Sequence, residues 1–295
     1  MKILHIINYY HEGFGYQENF LAYNQKKLGH DVMILTSEYY FPFENYNSTM
    51  KKVLGNRRKG VGKSQDNGVT IIREKSTFSG VRPGFIYFSI SKILANFSPD
   101  IVHVHGATNT WMPELIYHHS KLRFKIFIDS HQDFSVENFS NSVINHFYYQ
   151  LWSALHCFFI KNNKISHYLP ITKGSSDWLS FRLKIPKSMQ VISPLGVDLL
   201  TMFYDKYDDI RLRKEWGAEG KLVLVNAGKQ YKEKEIIRII EIAISLQERG
   251  IDFFLVLVGM ADDLYDKEMV AMLSKLNNKS WIRLPFLKRK EFWRV

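Results

Sequence analysis

A single cysteine, Cys157, in 295 residues leaves no internal disulfide and suits a reducing compartment. No apolar run is long enough to span a membrane. The longest aromatic-apolar stretch, residues 143–160, is broken by Asn145, His146, Gln150, Ser153 and His156. Met1 leads straight into a strand pattern with neither a basic leader nor a cleavage site, so no signal peptide is expected. There is no short-period repeat. Acidic residues are in deficit, 29 against 40 Lys and Arg, for a formal charge of +11. That excess points to an anionic partner: nucleic acid, an anionic membrane face or a phosphorylated substrate. Hydrophobic content of 45% and charged content of 23% are ordinary for a globular chain, and the length allows two domains.

What is present is organised around residues 2–35. An apolar run, Ile3, Leu4, Ile6 and Ile7, reads as a strand buried on both faces. A loop with Gly13 and Gly15 follows. A helix is then expected over 17–28 with Phe20, Leu21, Asn24 and Leu28 on one face, and Gly29 as its stop. Residues 32–35 form the next strand. In a parallel sheet opened by such a unit, ligands sit at the carboxyl ends of the strands. Gly13-Phe14-Gly15 lacks the third glycine of a dinucleotide fingerprint, since position 18 is Glu. The loop is therefore either an ordinary tight turn or an anion-binding turn backed by a helix N-terminus.

Further along, 37–46 reads as an aromatic loop and 51–67, with six Lys or Arg, as a solvated basic loop or a lip for phosphate or lipid headgroups. A short strand is expected at 69–73 and a helix at 85–96. Residues 99–106, PDIVHVHG, form a strand on which His103 and His105 share a face. Two histidines at i and i+2 can bind a metal, but no nearby acidic or cysteine cluster completes a set, so none is expected. After a helix at 112–120 and a strand at 124–129, His131 lies at the carboxyl end of a parallel strand. A helix at 143–162, a strand at 166–171, a helix at 177–181 and a strand at 189–192 complete the first half. Residues 198–220 read as a linker with a short helix around 210–216. A second α/β pattern follows: strand 222–225, the loop Gly228 to Lys234, helix 236–247, strand 253–258, helix 269–276 and strand 281–284.

Seven pieces in this order resemble the retaining glycosyltransferases of the GT4 type, which have the two-Rossmann-domain GT-B fold. They are Gly13–Gly15 with Glu18, Gly29-His30, the 99–106 stretch, His131, Ile171-Thr172 before Ser175, PLGVD at 194–198, and Gly228-Lys229 with Lys234. The resemblance covers essentially the whole chain. It implies an α/β protein with an acceptor-side domain at 1–198, a linker at 199–219 and a partial donor-nucleotide domain at 220–295. It further implies transfer of a hexose-type sugar from a UDP- or GDP-sugar to a glycan or lipid-linked acceptor, with anomeric retention and no metal or other cofactor. Donor binding falls to Gly13, Gly15, Gly228, Lys229 and Lys234, catalysis to His131 and Lys234, and the acceptor side to Glu18 and His105.

The usual family residue at 229 is Arg. Lys is a point charge that cannot clamp two phosphate oxygens in one plane. The family's paired-glutamate motif has no counterpart before Val295, so a truncated enzyme is expected, inactive or impaired in this form. The alternative is a non-catalytic nucleotide- or glycan-binding module. The expected location is cytoplasmic, peripheral on the inner membrane face through the basic stretch. Nucleic-acid binding is set aside, since it would need the charge concentrated on one face with exposed aromatics.

Overall fold

The computed structural model describes residues 1–43, 45–79, 86–135, 143–196, 206–261, 263–285 and 287. In chain order its elements are β1 (Lys2–Ile7), α1 (Gln17–Lys27), β2 (Asp31–Ser37), α2 (Lys51–Leu54), β3 (Gly62–Asp66), β4 (Val69–Glu74), β5 (Phe78–Ser79), β6 (Ile86–Tyr87), α3 (Ser91–Phe97), β7 (Ile101–His105), α4 (Met112–Leu122), β8 (Lys125–Ser130), α5 (Val143–Lys161), β9 (His167–Pro170), α6 (Lys173–Leu183), α7 (Lys206–Trp216), β10 (Leu222–Ala227), α8 (Ile236–Glu248), β11 (Phe253–Val258), α9 (Asp263–Leu273) and β12 (Trp281–Leu284). The chain divides into two compact units. One comprises Met1–Pro42 and Arg57–Val197, the other Phe43–Asn56 and Asp198–Val295.

The first unit holds a seven-stranded sheet in the order β3-β4-β2-β1-β7-β8-β9. All neighbours are parallel except the β3–β4 pair at one edge. The central strands are apolar on both faces because helices cover both. Leu4, Ile6, Ile34, Leu35, Val102, Val104, Ile126 and Ile128 are fully buried. Helix α6 starts earlier than its apolar pattern suggests. Thr172 caps it by accepting the Ser175 N–H at 3.0 Å.

Four sequence expectations need correction. The stretch 51–67 is not all loop: it contains α2 and the antiparallel edge strand β3. Backbone pairing to β4 holds β3 although its side chains are exposed, and Lys63 on this edge discourages further pairing. The helix expected at 85–96 begins only at Ser91. Ile86, Phe88 and Ile90 are buried in strict alternation, a strand period that the helical reading missed (position 85 lies outside the described residues). The strand at 189–192 shrinks to a 3₁₀ turn at Lys187–Met189 and one bridge, Gln190 to Tyr168. In α1, the buried residues are Glu18, Asn19 and Ala22, while Leu28 is exposed. Apolar periodicity misassigned that face because the helix packs polar groups inward; Asn19, for one, donates to the His11 carbonyl and the Asp66 carboxylate.

Buried on α5, His156 is held between the Tyr168 hydroxyl (Nδ1, 2.7 Å) and the Ala107 carbonyl (Nε2, 2.8 Å). Burial pushes its pKa down to about 4. The folded state therefore stays neutral while the unfolded chain takes up a proton near pH 6.5. Stability present above ~6.5 falls by about 3 kcal/mol as pH drops toward ~4. Urea unfolding at stepped pH should show this slope, and His156→Gln should flatten it.

The second unit has three parallel strands in the order β10-β11-β12. All six residues of β11 are buried. On one face Ile236, Ile240 and Ala243 of α8 pack with Leu255, Leu257, Met269 and Leu273. On the other, Ala218 packs with Phe254, Val256 and Val258. No described helix is long and apolar enough to cross a membrane.

Candidate active site

In the first unit the polar groups enter through the strand register. His5 on β1 lies beside His103 on β7, and His105 lies beside Asp129 on β8. Period-two alternation puts all four on one face of the sheet. The three imidazoles stack, with centroids 4.6 Å apart for His103 and His105. Asp129 Oδ2 lies 2.5 Å from His105 Nδ1 and 3.2 Å from His103 Nε2, and its Oδ1 accepts the Gly106 N–H at 3.1 Å. His105 Nε2 meets His5 Nδ1 at 3.0 Å, and His5 Nε2 meets Gln25 Oε1 of α1 at 2.7 Å.

Burial alone would lower the His105 pKa, but the charge and hydrogen bond of Asp129 outweigh it, and the pKa rises. Burial alone would raise Asp129, yet His105 and His103 hold it well below the usual carboxylate value. His5, buried and facing two other histidines, is pushed well below the imidazole value. Burial also lowers His103, with His105 adding to the effect.

The donor atoms of His103, His105 and Asp129 lie within 4.8 Å of one another. A carboxylate thus completes the set that the sequence left open, which corrects that part of the reading. Those donors are already spent on one another, however, both imidazoles on one Asp129 oxygen, and a closed zinc site needs a fourth. We read the group as a hydrogen-bonded cluster rather than a set of ligands.

Around this cluster stand the residues singled out in the sequence. Glu18 is buried on α1. Burial raises its pKa, and the nearby charge of His105 opposes that rise. His131 follows β8 with an exposed ring. Its partly desolvated surroundings lower its pKa, His105 adds to this, and Asp129 opposes it. Gly13 and Gly15 both sit at positive φ, +73° and +72°, where a side chain would be strained. The Gly13 N–H donates to Asp66 Oδ2 at 3.2 Å, and the Tyr10 hydroxyl donates to the same oxygen at 2.8 Å. An anion at Gly13 would compete with this internal carboxylate.

Beneath the loop, Arg73 is buried. It donates to the carbonyls of Tyr10 (2.8 Å) and Ser37 (3.0 Å) and pairs with Glu12 at 2.9 Å. Burial would raise the Glu12 pKa, but Arg73 outweighs it and the carboxylate stays ionised below its ordinary value.

In the second unit, Gly228, Lys229 and Lys234 follow β10. Gly228 has φ +135°, and a Cβ on Gly259 would lie 1.8 Å from the Gly228 carbonyl oxygen, so glycine at 259 permits this close crossing. Lys234 is exposed in a 3₁₀ turn. Lys229 lies 3.7 Å from the Phe43 ring centroid; burial, with a smaller push from Lys234, lowers its pKa to about 8. Next to it, Gln230 is buried with both amide atoms unpartnered among the described residues. Gln230→Leu is expected to raise the stability of this unit by about 1–3 kcal/mol, since it removes a desolvated amide. Urea unfolding would check this.

Thus Glu18, His105 and His131 converge in one unit, and Gly228, Lys229 and Lys234 in the other. Asp129, His5, Gln25, Asp66 and Arg73 were missed from sequence. For the first two a signal existed: a polar residue inside an otherwise apolar strand, KILHII and KIFIDS, demands a buried partner.

No family model matches the sequence, and no curated protein matches it. Solved structures do match in fold. Anabaena HepE in complex with UDP aligns at TM-score 0.65 and 14% identity, over 98% of this chain and 70% of that one. A glycosyltransferase from Rickettsia africae aligns at 0.65 and 13%, over 100% and 71%. The catalytic domain of starch synthase IV from Arabidopsis thaliana, bound to ADP and acarbose, aligns at 0.64 and 13%, over 100% and 76%. The chain therefore has an α/β architecture of two Rossmann-like units, the fold of the GT-B glycosyltransferases.

Proposed function

We propose that this protein is a retaining glycosyltransferase of the GT4 type that moves a hexose-type sugar from a UDP- or GDP-sugar to a glycan or lipid-linked acceptor. Residues 1–198 form the acceptor side, 199–219 the linker and 220–295 the donor-nucleotide side. The observation that carries the reading is the placement, on a glycosyltransferase fold, of Glu18, His105 and His131 at the carboxyl edge of one sheet and Gly228, Lys229 and Lys234 at that of the other. HepE's complexes with UDP and UDP-glucose support a nucleotide-sugar donor.

The leaving nucleoside diphosphate gains negative charge as the glycosidic bond breaks, so cations aimed at it lower the barrier. Lys234 and Lys229 supply that charge, and no metal is assigned to the step. Titrating the chain with UDP, GDP and their glucose and mannose conjugates by calorimetry tests the reading. Micromolar to millimolar binding of one nucleotide series is expected, and no binding of any would sink it.

A second reading, a non-catalytic nucleotide- or glycan-binding module, is favoured by one feature: Asp66 already takes the Gly13 N–H.

We also assign a cytoplasmic location with peripheral attachment through Lys51, Lys52, Arg57, Arg58, Lys59 and Lys63. Arg58 contributes least, because it is paired with Glu38 at 2.7 Å. Flotation with anionic vesicles is expected and should be lost on replacing the six by Ser; unchanged flotation would reject the attachment.

A further inference from the structure

A chain of hydrogen bonds, Gln25–His5–His105–Asp129, crosses α1, β1, β7 and β8 with lengths of 2.7, 3.0 and 2.5 Å. Its polarity follows from donor and acceptor chemistry. The Gln25 oxygen faces His5 Nε2, so that nitrogen carries the proton and donates. A neutral imidazole protonated on Nε2 has only a lone pair on Nδ1, so His5 Nδ1 accepts from His105 Nε2. His105 Nδ1, against the Asp129 carboxylate, donates as well. His105 then holds two protons.

We propose that His105 is a buried imidazolium, and that Asp129 on one side and the His5–Gln25 pair on the other are positioning residues that hold it and the carboxyl ends of β1, β7 and β8 in register for the transfer site. The positioning role rests on the glycosyltransferase reading; the protonation state does not.

Neighbouring bonds knit the same edge. Asp129 Oδ1 takes the Gly106 N–H, and the Asn109 amide donates to the carbonyls of His105 (3.2 Å) and Gly106 (2.6 Å). The titratable groups facing His105 are Glu18 from α1, His5 from β1, His103 from β7, and Asp129 and His131 from β8 and the turn after it. The three histidines are all held toward the neutral form, so the positive charge has two carboxylates near it and no competing cation among these groups. Loss of the His105 proton from Nε2 would set two lone pairs face to face at 3.0 Å. The chain would then break, or the Gln25 amide would turn to offer its N–H to His5. Either response reaches α1, the helix behind the glycine loop.

The test is nitrogen-15 NMR of the histidine-labelled full chain, correlating ring nitrogens with ring protons. At pH 7 His105 is expected to show both nitrogens protonated, and His5 a single Nε2–H tautomer. Asp129→Asn should leave His105 neutral at that pH. Gln25→Glu should move loss of the His105 proton upward by about one pH unit or more. Gln25→Leu, at a half-buried side chain, should move it downward, and this variant decides the matter if Asp129→Asn fails to fold. A neutral His105 in the unmodified protein would overturn the proposal, as would a charge unchanged by Asp129→Asn or a titration unmoved by Gln25→Leu. The alkaline limb of nucleotide-sugar turnover is expected to follow the same titration. A limb that stays put while the NMR titration moves would overturn the positioning role. Absence of any turnover would count against the glycosyltransferase reading and the role that rests on it, with the NMR result on the imidazolium unaffected.

Discussion

Arg73→Leu is expected to destabilise the first unit by about 3–5 kcal/mol, the cost typical of removing one partner from a buried ion pair. The substitution leaves the ionised Glu12 carboxylate without its cation. It also strips donors from the carbonyls of Tyr10 and Ser37, at the ends of the segments that frame the glycine loop. The guanidinium further lies 5.2 Å from the Tyr40 ring centroid, so packing is lost with the charge. Urea unfolding of the variant should show the loss directly. Glu12→Gln should cost less, because Arg73 keeps both carbonyls. A loss under about 1 kcal/mol for Arg73→Leu would mean that the clamp is not what holds the loop.

The second large effect concerns rate. In a chain that turns over, Lys234→Ala is expected to lower kcat on the order of 10²–10³-fold, as removal of a preorganised charge-stabilising group does. His131→Ala should cost less. In the proposed retaining transfer the leaving phosphate can itself take the acceptor's proton on the same face; His131 would then hold a sugar hydroxyl, or offer its backbone carbonyl near the anomeric centre, rather than take a proton. It should therefore lower the rate without moving the pH optimum. Loss of the acidic limb in His131→Ala would show the histidine titrating in catalysis and would overturn the positioning role.

The sheet was legible in the sequence because its strands are buried on both faces, and runs such as Ile3–Ile7 and Phe253–Val258 are too short for a buried helix. The helix behind the glycine loop was legible in extent but not in orientation. Its inward face carries Glu18, Asn19 and half-buried Gln25, and such a face is chosen by the partners it meets in the fold, His5 for Gln25 and His11 and Asp66 for Asn19, rather than by apolar spacing. The same holds for the cluster. His103 and His105 are visible as an alternating pair, whereas their link to His5, about a hundred residues away, exists only through strand order β1-β7-β8. Edge strand β3 was invisible because its stability comes from backbone pairing, which leaves no apolar signature. In the second unit, Lys229 was picked out by its place after Gly228, but its position over the Phe43 ring comes from a segment far earlier in the chain.

The most direct measurement of the central claim follows the anomeric carbon. The full chain is incubated with carbon-13-labelled UDP-glucose, and in parallel with the GDP-mannose equivalent, and the labelled product is read by its one-bond carbon–proton coupling alongside nucleotide release. Nucleotide release is expected with one donor series, together with a product, formed on acceptor or water, that carries the α configuration of the donor when first formed. An initial β product, or no nucleotide release with any donor, would contradict the claim.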